Sequence, residues 1–234
     1  MDTKIAVVTG ANRGLGFAIS RLLAMEGIKV VLTSRDGAKG QAATEKLQAQ
    51  GLDVVWHQLS VTDSDSIQQL ADFIEQQFGK LDILINNAGI NPESSGSSAL
   101  EIQLETLQTT MKTNVYGPLL LSQALVPLMK IHNYGRIVNL SAGMGLFKEM
   151  EAGFPAYCLS KAALNALTII LAAELQETGI KVNAASPGWA KTDMGGSDAP
   201  KTAEEGADTI VWLATCLHDI PNGGFWRDRQ LIPW

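Results

Sequence analysis

Tyr157 and Lys161 stand four positions apart in Ala156-Tyr157-Cys158-Leu159-Ser160-Lys161, a spacing that puts both side chains on one face of a helix. A lysine ammonium held near a phenol favours the phenolate, so a hydroxyl whose ordinary pKa is about 10 can be tuned toward neutrality and serve as a proton donor. The same spacing also makes plain surface pairs on solvated helices. What sets this pair apart is the start of the chain. There Thr9-Gly10-Ala11-Asn12-Arg13-Gly14-Leu15-Gly16 follows a β-branched run and leads into a helix-length stretch. Glycines in that position let the backbone approach a pyrophosphate, and the free N–H groups and positive dipole end of the helix hold it. The other reading is an ordinary strand-helix turn, but an N-terminal strand in a β-α series favours phosphate binding and hence a nucleotide cofactor.

The next strand narrows the choice of cofactor. About twenty residues beyond the glycines, dinucleotide folds that take NAD place an acid on the ribose hydroxyls. Here that strand ends in Thr33-Ser34-Arg35-Asp36, with Ser34 at the acid position. Arg35 and, inside the loop, Arg13 supply two guanidinium groups able to flank a 2′-phosphate with charge-assisted bonds, a pattern expected for NADPH. Asp36 leaves two further readings open, a ribose-binding acid or a surface partner of Arg35.

The elements that must position these groups follow from composition and periodicity. The chain has 234 residues, 46% apolar and 18% charged, enough for one large α/β domain spanning 1–234. A net charge of −6 gives no footprint for nucleic acid and no polybasic strip for a membrane. Strand-like residues begin at Ile5 without a preceding signal-peptide pattern, and no apolar run is expected to span a membrane, so a cytoplasmic location is expected. Cys158 and Cys216, with His57, His132 and His218, show neither disulfide nor metal-ligand spacing, so no metal is expected. Cys158 reads as a small filler beside Tyr157.

Short β-branched runs at Ile5-Ala6-Val7-Val8, Lys29-Val30-Val31-Leu32, Asp53-Val54-Val55-Trp56, Asp82-Ile83-Leu84-Ile85, Arg136-Ile137-Val138-Asn139-Leu140 and Lys181-Val182-Asn183-Ala184-Ala185 alternate with helix-length stretches. The stretches cover about 14–26, 38–50, 64–78, 104–129 and 156–175. With Phe225-Trp226 as a last edge strand, the order predicts a doubly wound parallel sheet of about seven strands with helices on both faces. Gly27, Gly51, Gly79 and Gly179 each follow a helical stretch where a left-handed C-cap is wanted. Segments 91–98 and 195–202 read as mobile loops, the second either a lid over the site or only a loop.

Taken together, the glycine loop, Asn86-Asn87-Ala88-Gly89 after the fourth strand, Asn114, Ser141 and Tyr157-x-x-x-Lys161 resemble the short-chain dehydrogenase/reductase family over essentially the whole chain. Within it, Thr33-Ser34-Arg35-Asp36, Ser186-Pro187-Gly188-Trp189-Ala190-Lys191-Thr192-Asp193-Met194 and Glu204-Glu205-Gly206-Ala207 are most similar to the NADPH-dependent carbonyl reductases. The resemblance implies that Tyr157 gives a proton to a carbonyl oxygen while hydride reaches its carbon. It implies that Lys161 lowers the tyrosine's pKa and holds the nicotinamide ribose. Ser141 would hydrogen-bond the substrate oxygen, and Asn114 would anchor a proton-relaying water. Plainer roles for the last two are a turn cap and a pinned helix bend. The implied cofactor contacts are Gly10, Asn12, Arg13, Gly14, Leu15, Gly16, Arg35, Ser60, Val61, Asn87, Ala88, Gly89, Tyr157, Lys161, Pro187, Gly188, Trp189 and Thr192.

Two departures stand out. Relatives often carry an adenine-contacting aspartate after the third strand, where this chain has Leu59-Ser60-Val61-Thr62-Asp63, leaving Ser60 to offer a single hydrogen bond. The segment before Tyr157 is short, whereas some animal carbonyl reductases carry a long insertion there that looks tied to a monomeric state. The small residues Ala162, Ala163, Ala166, Ala172 and Ala173 would then let the 156–175 helix pair across a two-fold axis in a homodimer or homotetramer. Met144, Leu146, Phe147, Trp189 and Met194 are expected to rim an apolar pocket, with Ser141 at its base, suited to uncharged ketones, aldehydes, dicarbonyls or quinones. Two alternatives are a 3-oxoacyl-thioester reductase using the same four residues and a redox sensor that binds NADPH without turnover. The first lacks a basic docking patch, and the second has no need of a proton donor.

Overall fold

The computed structural model describes residues 3–216 and 220–234. Six parallel strands alternate with helices: β1 (Ile5–Val8), α1 (Gly14–Met25), β2 (Lys29–Ser34), α2 (Gly37–Gln48), β3 (Val54–Gln58), α3 (Ser64–Phe78), β4 (Ile83–Asn86), α4 (Leu104–Met111), α5 (Gly117–Lys130), β5 (Gly135–Leu140), α6 (Pro155–Glu174) and β6 (Ile180–Ala185). The chain ends in α7 (Ala203–Thr215), β7 (Phe225–Arg227) and β8 (Gln230–Ile232). The sheet order is β3-β2-β1-β4-β5-β6-β7-β8, so the winding direction reverses between β1 and β4. In such sheets the crevice beyond the carboxyl ends of the strands at that switch point is where ligands bind.

Burial on both faces explains why the strands are nearly continuous in apolar residues. Within β1 the alternation divides the core. Ala6 and Val8 face Ile19 and Leu23 of α1 and Ile210 and Leu213 of α7, while Ile5 and Val7 face Leu70 and Ile74 of α3, Leu121 and Leu125 of α5 and Leu171 of α6. Asp63 caps α3 by accepting from the N–H groups of Asp65 and Ser66, and Gly79 ends it at φ 68°.

The structure departs from the sequence reading at several points. The sheet has eight strands, because β7 turns back through Asp228 and Arg229, both left-handed, into an antiparallel β8. The stretch 104–129 is broken by a π-helical turn at Lys112–Tyr116, and α7 lay outside the expected helices. Gly27, Gly51 and Gly79 have positive φ, but Gly179 does not. Glycine is required there for room instead, since a Cβ would come within 1.9 Å of the Asn133 carbonyl oxygen. Helix α6 is long and apolar enough to cross a membrane, contrary to expectation; half of it is packed inside the fold. Leu146, expected at a pocket rim, is buried with Ala184 and Phe225. His218 lies outside the described residues, His57 stacks on Phe73, and Trp234 packs on Phe225.

Thr9, the first residue past β1, locks the switch point. Its hydroxyl donates to the Ile85 carbonyl and accepts from the backbone N–H groups of Asn87 (2.9 Å) and Ala88 (2.8 Å), using its full bonding capacity. Thr9→Val keeps the shape and strands both donors, so a loss of about 1–3 kcal/mol in urea unfolding is expected, with Thr9→Ser close to the parent. Equal midpoints for the valine variant and the parent would contradict this role.

Candidate active site at the carboxyl ends of β1, β4 and β5

Four elements converge on Lys161. It lies in the second turn of α6, 5% exposed, and its Nζ donates to the Leu140 carbonyl at the end of β5, 2.8 Å away. Ser141 follows directly, its N–H bound to the Ala185 carbonyl of β6. From the other side, Gly89 sits so close that a Cβ would lie 3.3 Å from Asn114 Oδ1 and 3.6 Å from Lys161 Nζ. The Lys161 ammonium also lies 5.4 Å from the centre of the Tyr157 ring, one turn earlier on the same helix. Asn114, Ser141 and the Tyr157–Lys161 pair, drawn from three separate parts of the chain, therefore gather around the end of β5.

Their electrostatics correct one expectation. Burial pushes the Tyr157 hydroxyl up to about 12, the Cys158 thiol beside it adding to the rise, rather than Lys161 drawing it down. Burial in turn lowers Lys161 to about 8. The ammonium is itself desolvated, and the cost of placing charge in this low-dielectric site outweighs its pull on the phenol. Tyr157 is thus held as the protonated acid at neutral pH, while Lys161 can lose its proton just above neutrality.

Ser141 is 3% exposed and its hydroxyl has no partner among the described residues. A buried hydroxyl of this kind requires one, and an oxygen of a bound molecule would supply it. Asn114 lies in the π-helical turn, the kind of local widening often found at functional sites. Its side chain pairs with both backbone groups of Ile90 and donates to Ser160 Oγ (3.0 Å), so it pins the loop after β4 to α6.

The glycine loop leaves a bare backbone cradle. Gly10 (φ 62°) and Gly14 (φ 54°) are left-handed. At Gly16 a Cβ would meet Asn87 Nδ2 at 2.5 Å, and that amide in turn donates to the carbonyls of Thr9 and Gly10. The N-terminus of α1 opens here with no side-chain cap, its first N–H groups available to an anion. Across the crevice runs the segment with Pro187, Gly188 (φ 72°), Trp189 and Thr192. A Cβ on Gly14 would touch Thr192 Cγ2 at 3.4 Å, Leu15 abuts Gly206 of α7, and Arg13 forms an ion pair with Asp193. The 195–202 segment, read as mobile, is folded back onto 189–192: the Trp189 indole donates to the Gly195 carbonyl (2.7 Å), the Lys191 N–H donates to the Lys201 carbonyl, and the Lys201 N–H donates to the Trp189 carbonyl. Trp189 and Met194 are exposed beside it, with Phe147 and the half-buried Met144 on the Ser141 side.

At the adenine end, Arg35 is exposed past β2. Asp36 caps α2, accepting from Lys39 N, which lowers its pKa, and its ion pair is with Lys39. Ser34 points inward, donating to the Asp36 carbonyl and accepting from the Trp56 indole. Ser60 is held by Thr62 and Ser66, and the Val61 carbonyl lies against Gly117. Asn12 is half-buried within the loop. Two participants were absent from the expected set. Asp193 sits inside a recognised motif and was legible only as a motif letter. Glu93 lies in a polar loop with no spacing signal, yet its carboxylate accepts the N–H groups of Ala156 and Tyr157.

The short chain dehydrogenase family model matches residues 4–203. The chain is 37% identical to carbonyl reductase [NADPH] 3 of Mus musculus, covering 99% of each, and 38% identical to (+)-neomenthol dehydrogenase of Arabidopsis thaliana, covering 97% of each. The first of these alignments runs over 279 positions against 234 residues here, so that relative carries internal residues this chain lacks. Among solved structures, an NADPH-bound carbonyl reductase from chicken fatty liver superposes with a TM-score of 0.89 at 30% identity over the full length of both chains. The doubly wound fold, the convergent side chains and these similarities have one conclusion: this chain belongs to the short chain dehydrogenase family.

Proposed function

We propose that the protein is an NADPH-dependent carbonyl reductase that converts an uncharged ketone, aldehyde, α-diketone or quinone to the alcohol, with Tyr157 as proton donor. The observation that carries this reading is the unpartnered, buried Ser141 hydroxyl next to the Leu140-Lys161 contact, a donor prepared for an oxygen that the protein itself does not provide. The bare glycine cradle fits a pyrophosphate and the unpaired α1 N-terminus its charge, while Arg13 and Arg35 offer guanidinium groups to a 2′-phosphate. The bound nicotinamide would supply the hydride.

The chain's own residues do the rest. Ser141 orients the substrate oxygen and stabilises the charge that develops on it. Tyr157, kept protonated by burial, releases its proton to that oxygen, so hydride on carbon and proton on oxygen together give the alcohol. Lys161, lowered to about 8, is placed to restore the tyrosine's proton. Trp189, Met194 and Phe147, all exposed at the mouth, favour an apolar substrate over a charged one. Leu159, Ile169 and Ile170 are exposed along α6 and support self-association through that helix.

Tyr157→Phe is expected to lower kcat by about 100-fold to 10000-fold while leaving NADPH binding intact. In the parent, Lys161 is charged below its lowered pKa and neutral above it, so the reductive kcat should fall on the alkaline side with a midpoint near 8. A flat profile through that range would contradict the role of Lys161. NADPH should exceed NADH in kcat/KM, and Arg13→Ala or Arg35→Ala should each cost NADPH about tenfold or more with little effect on NADH. Equal losses with both cofactors would remove the 2′-phosphate reading. Turnover confined to acetoacetyl thioesters would instead favour acyl-chain reduction, and tight NADPH binding without turnover would favour a sensor.

A further inference from the structure

We propose that Glu93 is a positioning residue for the reaction, clamping the backbone that carries the Tyr157 hydroxyl and setting a negative charge at the positive end of the helix that bears it. The inference rests on Tyr157 being the proton donor.

A helix leaves its first N–H groups without internal partners, and a nearby Ser, Thr, Asp or Asn normally takes one. At α6 the usual arrangement is missing. Phe154, at the cap position, makes no side-chain bond, and Pro155 has no N–H to give. The next two donors, those of Ala156 and Tyr157, both go to one carboxylate: Glu93 Oε1 at 3.1 Å and Oε2 at 2.9 Å. Glu93 belongs to the loop after β4, so this cap joins two parts of the chain that no local sequence rule connects.

The Tyr157 backbone is held from its other side as well. The Tyr157 carbonyl accepts from Ser160 Oγ (2.8 Å), Ser160 accepts from Asn114 Nδ2, and Asn114 binds both backbone groups of Ile90, three residues before Glu93. The loop is therefore tied to α6 at both ends, and an antiparallel bridge between Ser97 and Gly153 closes it against the segment leading into the helix. Segment 91–98, read from composition as mobile, is in this structure the clamp on the first turn of α6.

The charge has its own effect. The positive end of the helix dipole would stabilise a phenolate at Tyr157, and a carboxylate there opposes it. The ionisable groups on the elements packed against this carboxylate are Tyr157, Cys158 and Lys161 on α6, Glu151 in the segment before it, and Glu101, which lines the same surface depression as Glu93. The Cys158 thiol, next to Tyr157, is pushed up by burial and then by the Glu93 charge.

The test compares Glu93→Ala, Glu93→Gln and Glu93→Asp with the parent in kcat, KM for a diketone and for NADPH, and the pH dependence of kcat, alongside Tyr157→Phe. NADPH fluorescence titration reports folding of the cofactor half. The expected result is a kcat about tenfold to a hundredfold lower in Glu93→Ala with unchanged KM for NADPH. A smaller loss is expected in Glu93→Gln, partial rescue in Glu93→Asp, and an alkaline limb moved to lower pH in the two uncharged variants. If Glu93→Ala fails to bind NADPH, the Glu93→Gln profile decides. A parental kcat and pH profile in Glu93→Gln, with Tyr157→Phe inactive, would overturn the proposal. Activity in Tyr157→Phe would instead overturn the proton-donor reading on which it rests.

Discussion

The Lys161 ammonium is buried at the carboxyl end of β5, where the Leu140 carbonyl accepts from it. Placing an ammonium in a low-dielectric interior is costly, and the cost appears as a pKa drawn down to about 8. The surroundings are shaped to permit it. Gly145 presses so closely on α6 that a Cβ would lie 2.8 Å from the Lys161 backbone carbon, and Gly89 leaves room on the opposite side. Tyr157, half-buried one turn away, keeps its proton for the same reason, its desolvation.

Holding such a pair in register takes cross-links between elements that hydrophobic packing alone would leave free to slide. A buried polar ladder crosses the sheet: Asn86 Nδ2 donates to Asn139 Oδ1, Asn139 Nδ2 to Thr168 Oγ1, and Thr168 Oγ1 to the Leu164 carbonyl of α6. This chain of bonds fixes α6 laterally over β4 and β5. Thr9 and Asn87 bind the glycine loop to the end of β4, and Asn114 binds the loop after β4 to α6. A bidentate pair between Arg227 of β7 and Glu149 attaches the segment between Ser141 and Tyr157 to the sheet. The glycine loop and the Tyr157–Lys161 pair thus share one set of attachments.

Much of this was legible in the residues. The six parallel strands follow from β-branched runs whose burial leaves little other reading, and the tyrosine, lysine, serine and asparagine are recognisable because their motifs are local in sequence. What escaped depended on long-range contact. Glu93 acts on a helix 63 positions away, and Asp193 on Arg13 across the crevice. Gly179 was read for its φ when its reason is the Asn133 carbonyl, and Leu146 was placed at a rim although Phe225, from the far end of the chain, covers it. The direction of the Tyr157 shift could not come from spacing, because it is set by how much water burial removes, not by the nearness of a charge. The β7-β8 return rests on left-handed Asp228 and Arg229, residue types with no strong turn signal as a pair.

The most direct test is the protonation state of Tyr157 in the folded protein. The chain has only three tyrosines, so ring-carbon-labelled tyrosine gives three NMR signals that single substitutions assign. Burial of the pair requires Tyr157 to remain a phenol at pH 10, the ordinary tyrosine midpoint, and to ionise only near 12. A Tyr157 signal that titrates to phenolate at or below that ordinary midpoint would show that charge rather than burial governs the site, and would contradict it.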